Sequence, residues 1–283
     1  MRNLNADNIE AAVLSQLGGT RDPRLKAVLN SLIPHLMAFV REVRPTEEEW
    51  LAALAYLTDA GKRDEYILLS DILGVTMQVD ALLNPRTQGV TETSVLGPFY
   101  REQSPLLEAP ADVARGWPGE PVVISGRVCT PRGEPIAGAL LDVWQTAPNG
   151  LYENQDPQQP EMNLRGRLRS GADGRYALRT VKPVSYPIST GGPGGRLLRA
   201  MGRHPFRPAH VHFKVSASGF RPLTTQLFVE GDPYLDSDAV FGVKNQLVVE
   251  FVRHEQPAEV EGHRLPAPYY TVRYDFGMQP SGA

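Results

Sequence analysis

Cysteine is nearly missing from this chain. Among 283 residues only Cys129 is present, so no intrachain disulfide is possible, as expected of a protein kept in a reducing compartment. Long apolar runs are missing too: none approaches the roughly 18 residues of a membrane span. The opening Met1-Arg2-Asn3-Leu4-Asn5-Ala6-Asp7 lacks the apolar core of a secretory signal. Nor does one sign of charge dominate. The net charge is −3 and the arginines are scattered, which leaves no basic footprint for nucleic acid. These absences predict a soluble, cytoplasmic protein without nucleic-acid partners or membrane insertion, whose partner is a small molecule. The length suffices for one large or two modest domains with real cores.

The first part of the chain carries helical periodicity. Leu25, Val28, Leu29, Leu32 and Ile33 form one apolar stripe, which Leu36 and Phe39 continue past Pro34. Thr46 and Glu49 make a capping box ahead of Trp50-Leu51-Ala52-Ala53-Leu54. A further helix is predicted from Asp64 to Leu83, with breaks at Gly18-Gly19, Arg44-Pro45 and Gly61. So much apolar stripe predicts a homodimer through these helices.

From Val122 the texture changes to β-branched runs between glycine and proline turns. Strands are predicted over Val122–Val128, Ala139–Trp144, Arg175–Val181, Val211–Val215 and Thr224–Val229. The expected fold class is therefore α+β: an all-helical region over residues 1–100, then a mostly antiparallel β-sandwich over residues 101–283. The connections Asn154 to Leu164 and Pro187 to His204 are long enough to be function-bearing loops.

The chemistry concentrates in Arg207-Pro208-Ala209-His210-Val211-His212-Phe213. Two imidazoles one residue apart on a strand point to the same face, where both can grip one metal ion. Upstream lie Tyr186, in Val184-Ser185-Tyr186-Pro187, and Tyr152, in Asn149-Gly150-Leu151-Tyr152. Together they make a candidate set of two tyrosines and two histidines. A lone strand histidine is more often structural, and His35, His204, His254 and His263 are read so.

At this point the sequence resembles the intradiol ring-cleaving dioxygenases. The likeness includes Leu96-Gly97-Pro98-Phe99-Tyr100, Asp142-Val143-Trp144-Gln145, Asp173-Gly174-Arg175-Tyr176, Arg207, Gln226 and Gly231-Asp232-Pro233-Tyr234. Within the family it looks most like the members acting on hydroxyquinol (1,2,4-trihydroxybenzene), through Pro183-Val184-Ser185-Tyr186-Pro187-Ile188 and Leu68-Leu69-Ser70-Asp71-Ile72-Leu73-Gly74-Val75. The pattern Gly126-Arg127-Val128 followed by Gly133-Glu134-Pro135-Ile136-Ala137-Gly138-Ala139 also resembles the prealbumin-like sandwich modules found outside enzymes, so fold alone does not decide function.

The resemblance implies one non-haem Fe(III) per subunit held by Tyr152, Tyr186, His210 and His212. It implies O2 and an aromatic diol or triol as substrates, with Tyr186, Arg207 and Gln226 in catalytic roles. It places Leu68, Asp71, Val95, Leu96, Gly97, Pro98, Phe99, Ile188, Ser189, Arg207 and Val240 around the substrate, and it implies a dimer with a phospholipid between helices. Where relatives continue Pro-Ile-Pro this chain has Pro187-Ile188-Ser189, and Leu96 stands where a phenylalanine can occur. Both changes keep a substituted ring in view. The rival readings are a catechol or chlorocatechol 1,2-dioxygenase and, from another class, a non-catalytic sandwich binding module with a helical oligomerisation arm.

Overall fold

The computed structural model describes residues 2–282. Met1 and Ala283, the outer bounds of the two expected domains, lie outside the described residues. The chain divides into compact units Met1–Asp59 and Ala60–Ala283 rather than at residue 100.

The first unit is helical, with α1 at Ile9–Ser15, α2 at Pro23–Val43 and most of α3, Glu47–Lys62. Asp22 caps α2 by accepting from the Arg24 and Leu25 amides, with Pro23 preset for the first turn. Pro34 sits inside α2 without ending it. The Thr46–Glu49 capping box forms as read: the Glu49 amide donates to Thr46 Oγ1, and Glu49 Oε2 accepts from the Thr46 amide. Gly61 does not break the chain, because α3 runs through it to Lys62.

The predicted helix from Asp64 to Leu83 is two helices, α4 at Tyr66–Ile72 and α5 at Val75–Leu83, bent by 79°. Gly74, at φ +74°, makes the corner that a residue with a Cβ rarely adopts. Leu68 and Ile72 share an apolar cluster with Val95, Ile188, Leu198, Ala239 and Val240, which is why these helices group with the sheet-rich unit. Among the described residues no single helix is long and apolar enough to cross a membrane.

The strands, in chain order, are β1 Ala111–Asp112, β2 Pro121–Cys129, β3 Leu140–Trp144, β4 Arg165–Arg169, β5 Arg175–Val181, β6 Tyr186–Pro187 and β7 Phe206–Arg207. There follow β8 His210–Ser216, β9 Leu223–Val229, β10 Val248–Val249, β11 Val252–His254, β12 Ala258–Val260, β13 His263–Leu265, β14 Tyr269–Arg273 and β15 Phe276–Gly277. One sheet runs β1-β5-β2-β14-β11, with β15 also on β2, and the other β10-β9-β8-β3-β4.

The expectation of a mostly antiparallel arrangement is corrected: the sheets are mixed. The pairs β1–β5, β14–β2, β15–β2 and β10–β9 are parallel. Most of these involve short late strands, whose few residues carry little period-2 signal. One core cluster draws Val122, Ile124, Leu178 and Val272 from the first sheet and Leu141, Val143, Val211 and Phe213 from the second. The connection from Pro187 to His204 is not all loop. It holds α6, Pro193–Ala200, started by Pro193 and buried through Leu198.

Candidate metal centre

Alternation along β8 sets the site. Val211, Phe213 and Val215 are fully buried in the shared core, so His210 and His212 turn to the opposite face. Register then aligns a row across three strands, with His212 opposite Trp144 on β3 and opposite Gln226 on β9. The Trp144 indole stacks on the His212 ring at 4.6 Å and 11°, fixing its plane.

The tyrosines arrive from outside the five-stranded sheet. Tyr186 on β6 pairs with Arg207 on β7, so one short ladder delivers two site residues. Tyr152 follows a turn at Gly150, whose φ is +78° and where an added Cβ would come within 3.2 Å of Tyr186. Phe99 stacks on Tyr152 at 4.6 Å.

The donor atoms converge. The Tyr152 and Tyr186 hydroxyls lie 3.2 Å apart, and the two Nε2 atoms of His210 and His212 lie 3.1 Å apart. The carbonyl of Pro208 can only accept, so the 2.6 Å contact fixes the proton of His210 on Nδ1 and leaves a lone pair on Nε2. That lone pair faces the other imidazole and the Arg207 Nη1, at 3.2 Å. Burial, then the Arg207 charge, lowers His210 to about 3, while burial, then the His210 and Arg207 charges, hold His212 well below its ordinary range. Burial pushes the Tyr152 phenol up, with the neighbouring Tyr186 adding to it.

These features fit a metal ion. Neutral imidazole nitrogens and buried phenols paired with each other gain from a cation that takes the place of their protons. A set with two phenols suits a hard trivalent ion better than zinc. Among the described residues no group of three or more histidine, cysteine or carboxylate side chains offers a rival site.

Arg207 is buried and its donors are largely committed. Nε and Nη2 donate to Asp238 at 3.1 and 3.2 Å, and Nη2 also donates to Gln226 Oε1 at 2.8 Å. Nη1 is left toward the site. Although burial opposes its charge, the Asp238 carboxylate raises the guanidinium pKa. Gln226 is itself held, donating through Nε2 to the Val95 carbonyl at 2.6 Å.

Of the expected pocket wall, Leu68, Val95, Ile188 and Val240 meet in the apolar cluster described above, and Asp71 is buried on the same helix as Leu68. Gly97 approaches His212, since an added Cβ would lie 3.6 Å from that ring. Leu96, Pro98 and Ser189 are exposed. The Asp71 carboxyl keeps one oxygen, Oδ1, without a hydrogen-bond partner. Burial raises its pKa against the opposing pull of Thr76 and of the Arg207 charge.

Tyr100, Tyr176 and Tyr234 belong to matching motifs but serve packing: Tyr176 donates to the Tyr274 carbonyl, Tyr100 to Asp142, and Tyr234 stacks on Phe206. His204 pairs with Ser237 and accepts from the Phe206 amide.

Sequence reasoning missed three contributors. Asp238 lies beside the short apolar stretch Ala239-Val240-Phe241, which by itself marks no site. Glu153 and Arg165 form a buried ion pair at 2.6 Å, and Arg165 also donates to the Phe99 carbonyl and lies 5.5 Å from the centre of the Tyr152 ring. No spacing in the sequence marks that pair.

A mixed sheet that turns two imidazoles toward two buried phenols suits a metal-dependent enzyme, and the comparisons give its class as dioxygenase. A family model described as "Dioxygenase" matches residues 95–280, and one described as "Catechol dioxygenase N terminus" matches residues 22–91. The chain is 43% identical over 286 residues to 6-chlorohydroxyquinol 1,2-dioxygenase of Cupriavidus pinatubonensis, covering 99% of this chain and 100% of that one. It is 44% identical to hydroxyquinol 1,2-dioxygenase of Nocardioides simplex, with 95% and 94% covered. The crystal structure of hydroxyquinol 1,2-dioxygenase from Pseudomonas putida superposes with a TM-score of 0.89 at 45% identity, covering 98% and 99% of the two chains. Catechol 1,2-dioxygenase from Pseudomonas arvilla matches at a TM-score of 0.86 and 30% identity, with 98% and 93% covered. The chain belongs to the intradiol ring-cleavage dioxygenases.

Proposed function

We propose that this enzyme cleaves hydroxyquinol between its vicinal hydroxyls, adding both atoms of O2 to give 3-hydroxy-cis,cis-muconate, the enol form of maleylacetate. The observation that carries the choice of ring is Asp71, a buried carboxyl with an unpartnered oxygen beside an apolar pocket wall. A third ring hydroxyl would supply that oxygen with a donor. The names of the relatives support the same substrate class.

Tyr152, Tyr186, His210 and His212 would hold one ferric ion per subunit. That ion, when bound, supplies Lewis acidity toward the ring oxygens and the electronic path that lets the ring react with O2. The remaining work falls to side chains. The Tyr186 Oη is the base that takes a hydroxyl proton from the ring as it binds. Arg207 Nη1 faces the negative charge that builds on the ring, and its orientation comes from Asp238 and Gln226. Leu68, Val95, Ile188 and Val240 exclude water around the ring. Exposed Leu96 and Ser189 leave one side of the wall open to a ring substituent.

The two sheets, facing each other across their common core, form the sandwich that carries this site. The helices of the first unit pair two subunits and hold an amphipathic lipid, and the enzyme works in the cytoplasm. Relative kcat/KM for hydroxyquinol, 6-chlorohydroxyquinol and catechol, with iron content, tests the substrate reading. A parent enzyme that prefers catechol contradicts it.

A further inference from the structure

One side chain joins the helix bearing Asp71 to the loop bearing Asp238. Arg203 follows α6, and its Nη1 donates to the Ile72 carbonyl at 2.7 Å while Nη2 donates to the Ala239 carbonyl at 3.0 Å. Ile72 is the last residue of α4, so this bond satisfies a carbonyl that the helix cannot pair itself. The guanidinium is seated on the Phe241 ring, 4.5 Å from its centre. Phe241 is half exposed and held at φ +59°, a backbone state that costs a bulky residue energy unless its surroundings impose it. Within the same turn, Asp238 accepts from the Val240 and Gly242 amides while gripping Arg207. A Cβ at Gly242 would meet Arg207 Nη2 and the Ser94 hydroxyl at 3.0 Å, so the loop has no slack toward the guanidinium.

We propose that Arg203 is a specificity-determining positioning residue, a brace that sets the Asp71 helix and the Asp238 loop at a fixed separation so that ring selection and Arg207 orientation are established together. This rests on the substrate reading above. Arg203 meets the Ile72 and Ala239 carbonyls and the Phe241 ring, none of them assigned to the metal or the substrate ring. Its planar fork reaches both carbonyls at once, which a lysine ammonium, a single point on a flexible stem, does not reproduce. Without the brace, α4 loses its end contact and the loop loses its tether, and the buried carboxyl drifts from the position in which a third hydroxyl meets it.

The test uses the iron-loaded enzyme and three variants: Arg203→Gln, Arg203→Lys and Phe241→Gly. Steady-state kinetics with hydroxyquinol and catechol are read beside anaerobic titrations of each ring, followed by the visible spectrum, which give Kd without turnover. In Arg203→Gln the hydroxyquinol-to-catechol ratio of kcat/KM is expected to fall about tenfold, chiefly through KM for hydroxyquinol, with iron content unchanged. Arg203→Lys should recover only part of the ratio. Phe241→Gly, which unseats the guanidinium while relieving the positive φ, should shift it in the same direction by less, and serves if Arg203→Gln does not fold. An unchanged ratio in folded Arg203→Gln or in Phe241→Gly overturns the brace. A parent enzyme without preference for hydroxyquinol would overturn the Asp71 reading alone. Arg203 is then judged on the Kd for catechol, which the brace requires to rise in Arg203→Gln and whose constancy would sink it.

Discussion

Arg207 and Asp238 form a two-pronged ion pair whose side chains are 4% and 2% exposed, one partner beside the candidate metal centre and the other in the turn that leads to Gly242. A pair this deep is not strong evidence of net stability, since desolvation offsets much of the attraction. Removing one partner is another matter, because it strands a buried charge. Asp238→Asn keeps the shape and one acceptor but leaves the guanidinium uncompensated. It should destabilise the protein by about 3 kcal/mol, and kcat should fall more than iron content does. Urea unfolding and iron analysis on one preparation check this, and a loss well under ~1 kcal/mol would contradict it.

The metal ligands are tested by colour as well as rate. Phenolate bound to ferric iron absorbs visible light, so the loaded enzyme should be wine-red. Tyr152→Phe and His210→Ala should lose both colour and turnover, as each removes a donor from the converging set. Tyr186→Phe should retain iron yet fail in turnover, because the Tyr186 phenolate oxygen is the one assigned to take the ring proton. Full iron and normal rates in His210→Ala would exclude His210 as a ligand.

Asp71 sets the substrate experiment. Catechol lacks the hydroxyl that would meet Oδ1, leaving a buried carboxyl oxygen unsatisfied at about 1–3 kcal/mol, or roughly 10- to 100-fold in kcat/KM. In Asp71→Leu that preference should collapse. Survival of the ratio would show that another group reads the ring.

Much of this was legible because periodicity and spacing are local signals. The two histidines of β8 follow from the alternation of one strand, and the Thr46–Glu49 box from a four-residue motif. What stayed hidden is non-local or carries little signal. Strand β4, Arg-Gly-Arg-Leu-Arg, looks like a solvated loop, yet its pairing with β3 buries Arg165 against Glu153. The corner at Gly74 was masked by unbroken apolar residues on either side of it. Asp238 becomes meaningful only once folding brings it to Arg207, across a separation no motif spans.

The helical unit predicts its own assembly. No residue of α2 is buried, and Leu25, Val28, Leu32, Leu36, Phe39 and Val43 all stand exposed along it. A stripe of this extent is expected to be covered by a second copy. Light scattering at micromolar concentration should give a dimer, and Leu32→Glu with Leu36→Glu should shift it toward monomer. A monomeric parent would refute the interface. Mass spectrometry of an organic extract tests the lipid separately.

The metal-free protein should weaken in acid, and the sign follows from the buried imidazoles. Burial lowers His210 from 6.5 to about 3 and moves His212 the same way. Above pH 6.5 both are neutral whether folded or unfolded and contribute nothing to the pH dependence. As pH falls below 6.5 the unfolded chain takes up protons that the folded site refuses, so stability declines until the folded pKa is reached. Each such histidine contributes a slope of up to about 1.4 kcal/mol per pH unit within that window. Urea unfolding of the iron-free enzyme at pH 7 and pH 5 should therefore differ, and His210→Gln, which removes one of the titrating groups, should flatten the dependence. Equal slopes in parent and variant would mean that His210 takes up its proton in the folded, metal-free site at the same pH as in the unfolded chain.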